Sequence, residues 1–167
     1  MAVRPITVMG DAVLRQRAKR VPQVDGSIER LVEDMIDTMR DTGGVGLAAP
    51  QVGVALRVVV IGMPGEEVIT LINPEIVKRS GEREVTEGCL SVPGYWAEVT
   101  RSVSVTVKGR DLQGRQVRIK AKDELLAQAL EHEIDHINGV LYVDHLESLD
   151  ELRKTAPEPE EEVSAEL

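Results

Sequence analysis

At 167 residues, with 42% of them hydrophobic and a formal net charge of −9, the chain has the length of one ordinary domain and enough apolar content for its own core. An acidic balance of this size argues against a broad basic surface for nucleic acid, because phosphate binding needs clustered Lys and Arg to displace counterions. There is no Phe, and the aromatics are only Tyr95, Trp96 and Tyr142, so Val, Leu, Ile, Ala and Met must build the core and a stacking site for a planar cofactor is not expected.

Residues 11–19 read as a short helix capped by Asp11, with Pro22 closing the segment that follows. Ile28, Leu31, Val32, Met35, Ile36 and Met39 then recur at i, i+3, i+4, i+7, i+8 and i+11, after Ser27 as N-cap and before Gly43-Gly44. This is an amphipathic helix packed on a core. Residues 57–62, 68–72, 75–79, 99–108 and 116–120 read as strands, with turns at Gly65, Asn73-Pro74 and Gln113-Gly114. Asp123 is placed to cap a second helix running to Ile137 and stopped by Gly139. Its apolar stripe, Leu125 and Ala129, continues into His132 and His136 and turns both imidazoles inward. A short helix over 146–154 follows, and Pro157 then opens a Glu-rich run with little to bury. The expected organisation is one catalytic domain over 1–154 and an acidic, disordered tail over 155–167. The element order favours an α+β fold, with antiparallel or mixed sheets packed around the central histidine-bearing helix.

Two of the three histidines lie in His132-Glu133-Ile134-Asp135-His136. On a helix, imidazoles at i and i+4 project from one face a turn apart, and the intervening Glu can reach a water at a metal as general base. Catalytic sites of this kind take three protein ligands and keep one position open. One route to the third ligand, the metzincin extension H-E-x-x-H-x-x-G-x-x-H, is followed through Gly139 but ends on Tyr142 where a His should stand. Glu147 or Glu151 offers a second route. Cys89, in Glu87-Gly88-Cys89-Leu90-Ser91, offers a third: a soft thiolate in a stretch expected to turn tightly. As the only cysteine it forms no internal disulfide, which fits a reducing compartment. Residues 1–10 lack an apolar segment behind a basic one, and no run approaches 18 apolar residues. A cytoplasmic protein with peptide or small-molecule partners, no direct DNA binding and no membrane contact is expected.

Three separated segments together resemble the bacterial peptide deformylases. They are Gly44-Val45-Gly46-Leu47-Ala48-Ala49-Pro50-Gln51, matching GxGxAAxQ; Glu87-Gly88-Cys89-Leu90-Ser91, matching EGCLS; and His132-Glu133-Ile134-Asp135-His136, matching HExDH. Flanking text from Gly10-Asp11 to Val143-Asp144 is similar as well, so the likeness runs to about residue 150. It implies removal of the formyl group from the N-terminal formyl-methionine of new polypeptides, with formate released and a transient contact with the ribosome. Cys89, His132 and His136 would hold one divalent metal, Fe2+ in the cell and Zn2+, Ni2+ or Co2+ in purified protein. Glu133 would serve as general base and then acid while metal-bound hydroxide attacks the formyl carbon. The Gln51 side-chain amide and the Leu90 backbone N–H would stabilise the oxyanion. Gly44, Val45 and Gly46 would align the peptide like an added strand, and Val45, Val85, Leu125 and Ala129 would line the methionine pocket. Glu87 is counted among the substrate-facing residues, with a structural ion pair to Arg101 as its alternative.

Each feature has a plainer rival: two core histidines, an inert buried thiol, a flexible glycine loop lacking the Lys and Ser/Thr of a P-loop. At the level of function the rivals are a zincin protease and a closed structural metal site. Only an open site binds hydroxamates strongly. Two departures from the family stand out. Glu131 occupies a place where many members have Gln, which predicts a more negative surround for the metal, and the acidic tail after Pro157 does not suit ribosome attachment through a basic carboxyl-terminal helix.

Overall fold

The computed structural model describes residues 2–155. Helix α1 spans Gly26–Thr42, and strands β1 (Gly46–Ala48), β2 (Val58–Ile61), β3 (Ile69–Ser80), β4 (Arg83–Cys89), β5 (Val92–Arg101), β6 (Ser104–Arg110) and β7 (Gln116–Lys122) follow; helix α2 is Leu125–Ile137 and strand β8 is Arg153–Lys154. Every strand pair is antiparallel, in one five-stranded sheet ordered β1-β2-β3-β6-β7 and one three-stranded sheet ordered β4-β5-β8. The fold is α+β.

Local chemistry explains where the elements start and stop. The N-cap of α1 is Asp25, two residues before the expected Ser27. Its carboxylate accepts the backbone N–H groups of Ser27 and Ile28 at 2.9 and 3.2 Å, and the Ser27 hydroxyl donates to it as well. The helix ends at Gly43 with φ 73°, a left-handed C-cap suited to glycine. Its apolar stripe packs with Leu47, Val58 and Val60 of β1 and β2. At the start of α2, Asp123 does not cap. It sits at φ 50°, its N–H donates to the Val103 carbonyl, and Glu124 takes the N-cap position without a side-chain bond.

Other expectations are corrected. Residues 11–19 form only one 3-10 turn, Ala12–Arg15, because Lys19 leaves to bridge Leu56. The two strands expected at 68–72 and 75–79 are one, β3, with register shifts on either side of Glu75-Ile76. Asn73-Pro74 therefore rides a bulge instead of making a turn, and the Asn73 amide both accepts from and donates to the Val21 backbone at 2.8 Å. The strand expected at 99–108 is split at Ser102-Val103, where the chain crosses from the small sheet to the large one. The helix expected at 146–154 is a 3-10 turn, Leu149–Glu151, capped by Ser148, followed by β8 paired with Tyr95 and Trp96. The guanidinium of Arg153 lies 5.4 Å from the Trp96 ring centroid. From residue 156 on, the expected tail lies outside the described residues.

Helix α2 is the pivot. Ala127, Ala129, Leu130, Ile134 and Ile137 pack against the inward valines of β6 in one core cluster. On the other side Gln128 donates to the Thr86 carbonyl of β4 at 3.0 Å. Strands β1 and β4 are edge strands of their sheets, each paired on one side only.

The outer face of β3, β6 and β7 carries the exposed Lys78, Lys108, Arg110, Arg118, Lys120 and Lys122 together with Glu75.

Candidate metal centre

Cys89 is the last residue of β4, and Leu90-Ser91 form the two-residue turn that returns the chain at Val92. That turn aims the thiol at α2, where His132 and His136 sit on one face. The Cys89 Sγ lies 3.3 Å from His136 Nε2, and His136 Nε2 lies 3.2 Å from His132 Nε2; all three ligand atoms fall within 4.8 Å of one another. Each of these residues is at most 2% exposed. Of the three sequence routes to a third ligand, only Cys89 converges with the histidines.

The donor set suits a divalent cation. His132 Nδ1 is bonded to the Glu87 carboxylate, so it carries the proton and presents the Nε2 lone pair to the centre. Burial alone would lower the His132 pKa, but Glu87, Glu133 and Cys89 around it raise it well above the usual imidazole value. A pocket that draws positive charge onto an imidazole also favours a metal ion. Burial and the neighbouring His132 push His136 the other way, well below its ordinary value, which keeps its ring neutral as a ligand must be.

Of the two readings of Glu87, the structure shows the ion pair with Arg101: the carboxylate lies behind His132 and not on a substrate side. Its carboxylate accepts from Arg101 Nε at 3.0 Å and Nη2, from Gln128 Nε2 at 3.1 Å, and from His132. Arg101 in turn donates to Asp135 at 2.7 Å, and Asp135 meets His145 at 2.8 Å. His145 thus ends an ion-pair chain and does not reach the metal centre. Burial would raise the Glu87 pKa, but His132 and Arg101 outweigh it and hold the carboxyl well below its usual range. Glu131 also faces away from the ligands. It accepts from the Ser102 N–H at 2.7 Å and from Arg79 Nε at 3.1 Å, so its charge is balanced there and does not add to the metal's surround.

Glu133 is fully buried beside the ligands. Burial, partly opposed by His132 and reinforced by Glu87, raises its pKa to about 7. Gly46 of β1 lies against it: a Cβ there would stand 2.9 Å from Glu133 Cδ. The glycine motif therefore makes room for the protein's own Glu133 carboxylate. Gln51 follows β1 in a 3-10 turn, Ala49–Val52. Its Oε1 accepts from Ala48 N–H at 3.0 Å, which turns Nε2 toward Ser91 Oγ at 3.1 Å and Cys89 Sγ at 3.7 Å. The amide N–H groups point to the ligand side.

Of the remaining expected site residues, Val45, Leu125 and Ala129 share one core cluster, whereas Val85 packs with Cys89 and Tyr142 in another. Gly44 lies next to the C-cap of α1, its N–H donating to the Met39 carbonyl. Sequence reasoning missed Ser91 and Gln128 as partners of Gln51 and Glu87, although Ser91 stood inside a motif. It also missed Tyr142, whose ring stacks 6.3 Å from that of His132.

Comparison with known proteins agrees. The polypeptide deformylase family model matches residues 3–152. The chain is 55% identical to a peptide deformylase of Dehalococcoides mccartyi, covering 96% of each chain, and 49% identical to one of Thermomicrobium roseum, covering 99% and 98%. Among solved structures, a peptide deformylase of Legionella pneumophila superposes with TM-score 0.86 at 49% identity over 90% of this chain and 89% of that one. One from Synechococcus elongatus, in complex with actinonin, gives 0.85 at 41% identity over 89% and 81%. With a buried cysteine and two imidazoles converging where the β4-β5 turn meets α2 and this breadth of likeness, the chain belongs to the polypeptide deformylase family, metal-dependent hydrolases of protein biosynthesis that remove the N-formyl group from new polypeptides.

Proposed function

We propose that Cys89, His132 and His136 hold one divalent cation and that Glu133 carries the proton of formyl hydrolysis on N-formyl-methionyl peptides and nascent chains. The observation that carries this reading is geometric: the Glu133 carboxylate is fully buried on the helix turn between His132 and His136, neither of its oxygens has a hydrogen-bond partner among the described residues, and this burial raises its pKa to about 7. A base is most effective near the working pH. When bound, the cation supplies Lewis acidity toward the formyl oxygen and acidifies a water. Thiolate with two imidazoles suits iron, zinc, nickel or cobalt, and Fe2+ is the proposed cellular ion.

Glu133 accepts the proton of the attacking water and returns it to the departing amine nitrogen. The Gln51 amide donates to the oxygen that gains charge at the formyl carbon, with its orientation held by Ala48 N–H and Ser91 Oγ. The Leu90 N–H, in the turn beside Cys89, is the second donor. The free edge of β1 takes the substrate backbone next to Gly44, Val45 and Gly46, and Val45, Leu125 and Ala129, already in one apolar cluster, supply the methionine contact. The reaction belongs in the cytoplasm; no helix among the described residues is long and apolar enough to cross a membrane.

Formate release from formyl-Met-Ala-Ser by anaerobically purified, iron-loaded protein tests the reading. Rapid release that Glu133→Ala reduces by at least about 10²-fold is expected. Release unaffected by that substitution would remove Glu133 from the role. Failure of a metal-loaded sample to bind actinonin or release formate would turn the site into a structural one.

A further inference from the structure

The outer face of the β3-β6-β7 sheet is cationic in a protein whose net charge is −9. Register puts Lys78, Thr106 and Lys120 in one cross-strand row, Glu75, Lys108 and Arg118 in the next, and Ser80, Ser104 and Lys122 in a third, with Arg110 opposite Gln116. Six exposed cations, Lys78, Lys108, Arg110, Arg118, Lys120 and Lys122, thus share the face with one carboxylate, Glu75. None of the six makes an ion pair among the described residues. Lys108 and Arg118 stand directly opposite one another, an arrangement that costs stability in a sheet. The opposite parity, Val105, Val107, Val117 and Ile119, is packed against α2, so the sheet itself separates this face from the metal centre.

The cationic surface continues past β3. Arg20 lines a cavity of about 390 Å³ with Lys108, Arg110 and Arg118, and also lines its neighbour of about 430 Å³ with Arg17 and Arg57. Burial and the like charges of Arg17 and Arg20 hold the Arg57 pKa below its ordinary value. A local excess of this kind attracts polyanions whatever the net charge of the chain.

We propose that this face docks double-helical RNA through its phosphate backbone, without reading sequence. Three features favour a duplex backbone over an acidic peptide or unpaired bases. The cations form a two-dimensional array across three strands, alternating every second residue, and not a line along one groove. Ser80, Ser104 and Thr106 lie among them, and Lys, Arg, Ser and Thr are the side chains that contact phosphate oxygens. The cross-strand rows of this face hold no aromatic residue on which a base would stack. The choice of RNA over DNA rests on the proposed function, since nascent chains are met at an RNA-rich assembly.

The test is fluorescence anisotropy of a labelled RNA hairpin titrated with the full-length, metal-loaded protein. Binding should weaken by about 10³-fold between roughly 50 and 200 mM salt if the six cations each neutralise a phosphate. The triple variant Lys108→Gln, Arg118→Gln, Lys120→Gln should lower the salt slope by close to three and leave formate release unchanged. The charge-reversed set Lys108→Glu, Arg118→Glu, Lys120→Glu should lose binding by at least about 10²-fold at low salt. No binding at low salt, binding indifferent to both triple variants, or tighter binding to phosphatidylglycerol vesicles or to a peptide of residues 156–167 than to the hairpin would each overturn the proposal. Formate release measured on the same samples separates failure of this surface from failure of the catalytic reading.

Discussion

Glu87 has more consequences than any other side chain outside the ligand set. Its two oxygens answer Arg101, Gln128 and His132 at once, so it fixes the tautomer of a ligand and neutralises a buried guanidinium together. Replacing it by Gln keeps the shape but strands Arg101, and breaking a buried pair in this way costs about 3–5 kcal/mol. Glu87→Gln should also weaken metal binding by about 10–100-fold, as loss of an orienting partner does. Urea denaturation and metal titration against a competing chelator measure the two effects; full metal affinity in the variant would deny Glu87 its role in orienting His132. The pH dependence follows from the depressed pKa. A carboxyl held below its unfolded value of 4.5 contributes all of its stabilisation above that value and loses it as pH falls further toward the folded value. Wild type should therefore lose stability below pH 4.5 more steeply than Glu87→Gln. Gln51 acts differently, because its amide carries no charge and takes no part in the Glu87–Arg101–Asp135 chain, meeting only Ala48 N–H, Ser91 Oγ and Cys89 Sγ among the described residues. Gln51→Ala should lower kcat by about 10²–10³ with KM and metal content nearly unchanged; an unchanged kcat would exclude the amide as a donor.

Two glycines show how elements transmit such effects. At Gly139, φ is 78° and an added Cβ would lie 2.8 Å from the Arg15 carbonyl oxygen, where the first 3-10 turn packs under the end of α2. Gly139→Ala should cost more than about 1 kcal/mol in stability, read by thermal or denaturant unfolding, because the backbone is left-handed and the neighbour is main chain. Gly46 has no such φ, and its neighbour is the Glu133 carboxylate. Gly46→Ala should show up in catalysis, with kcat down by about 10²-fold from a displacement of the base of about 1 Å. A variant that lost stability but kept its turnover would contradict this placement. The same contrast explains what could be read from residues alone. The convergence of Cys89, His132 and His136 around the Glu between the histidines was legible because metal chemistry demands fixed types at short spacing, and α1 because its burial has a helical period. The β4-β5 hairpin was not, since Glu84, Thr86, Glu98 and Thr100 leave too few apolar positions to mark alternation. The Glu87–Arg101 pair, 14 residues apart, was one of the alternatives read from the sequence, but the second partner of Arg101, Asp135, 34 residues away, was not. Partners that distant are brought together only by the strand crossing at Ser102-Val103.

Across the whole molecule the metal centre is a meeting point and not the core. One apolar cluster lies between α2 and the large sheet, a second between α1 and β1-β2, and a third under the β4-β5 hairpin. Cys89 belongs to the third cluster, while His132 and His136 extend from a helix that anchors the first. A cation bound by all three therefore links two packing units, and its removal should loosen that link without unfolding either. By mass action, an ion present at about 1,000 times its dissociation constant adds about 4 kcal/mol to the folded state. In a protein of this size each kcal/mol moves the midpoint by about 2–4 °C. Chelation of loaded protein should then lower Tm by on the order of 10 °C and leave a cooperative transition, followed by calorimetry or far-ultraviolet circular dichroism. Cys89→Ala should start near the lower Tm and respond to chelator hardly at all, because two imidazoles alone hold a divalent ion weakly. An identical Tm for loaded and chelated wild type would mean that the three ligands do not share an ion in the folded protein. Loss of the cooperative transition on chelation would instead make the metal part of the core, against the separate apolar clusters that flank it.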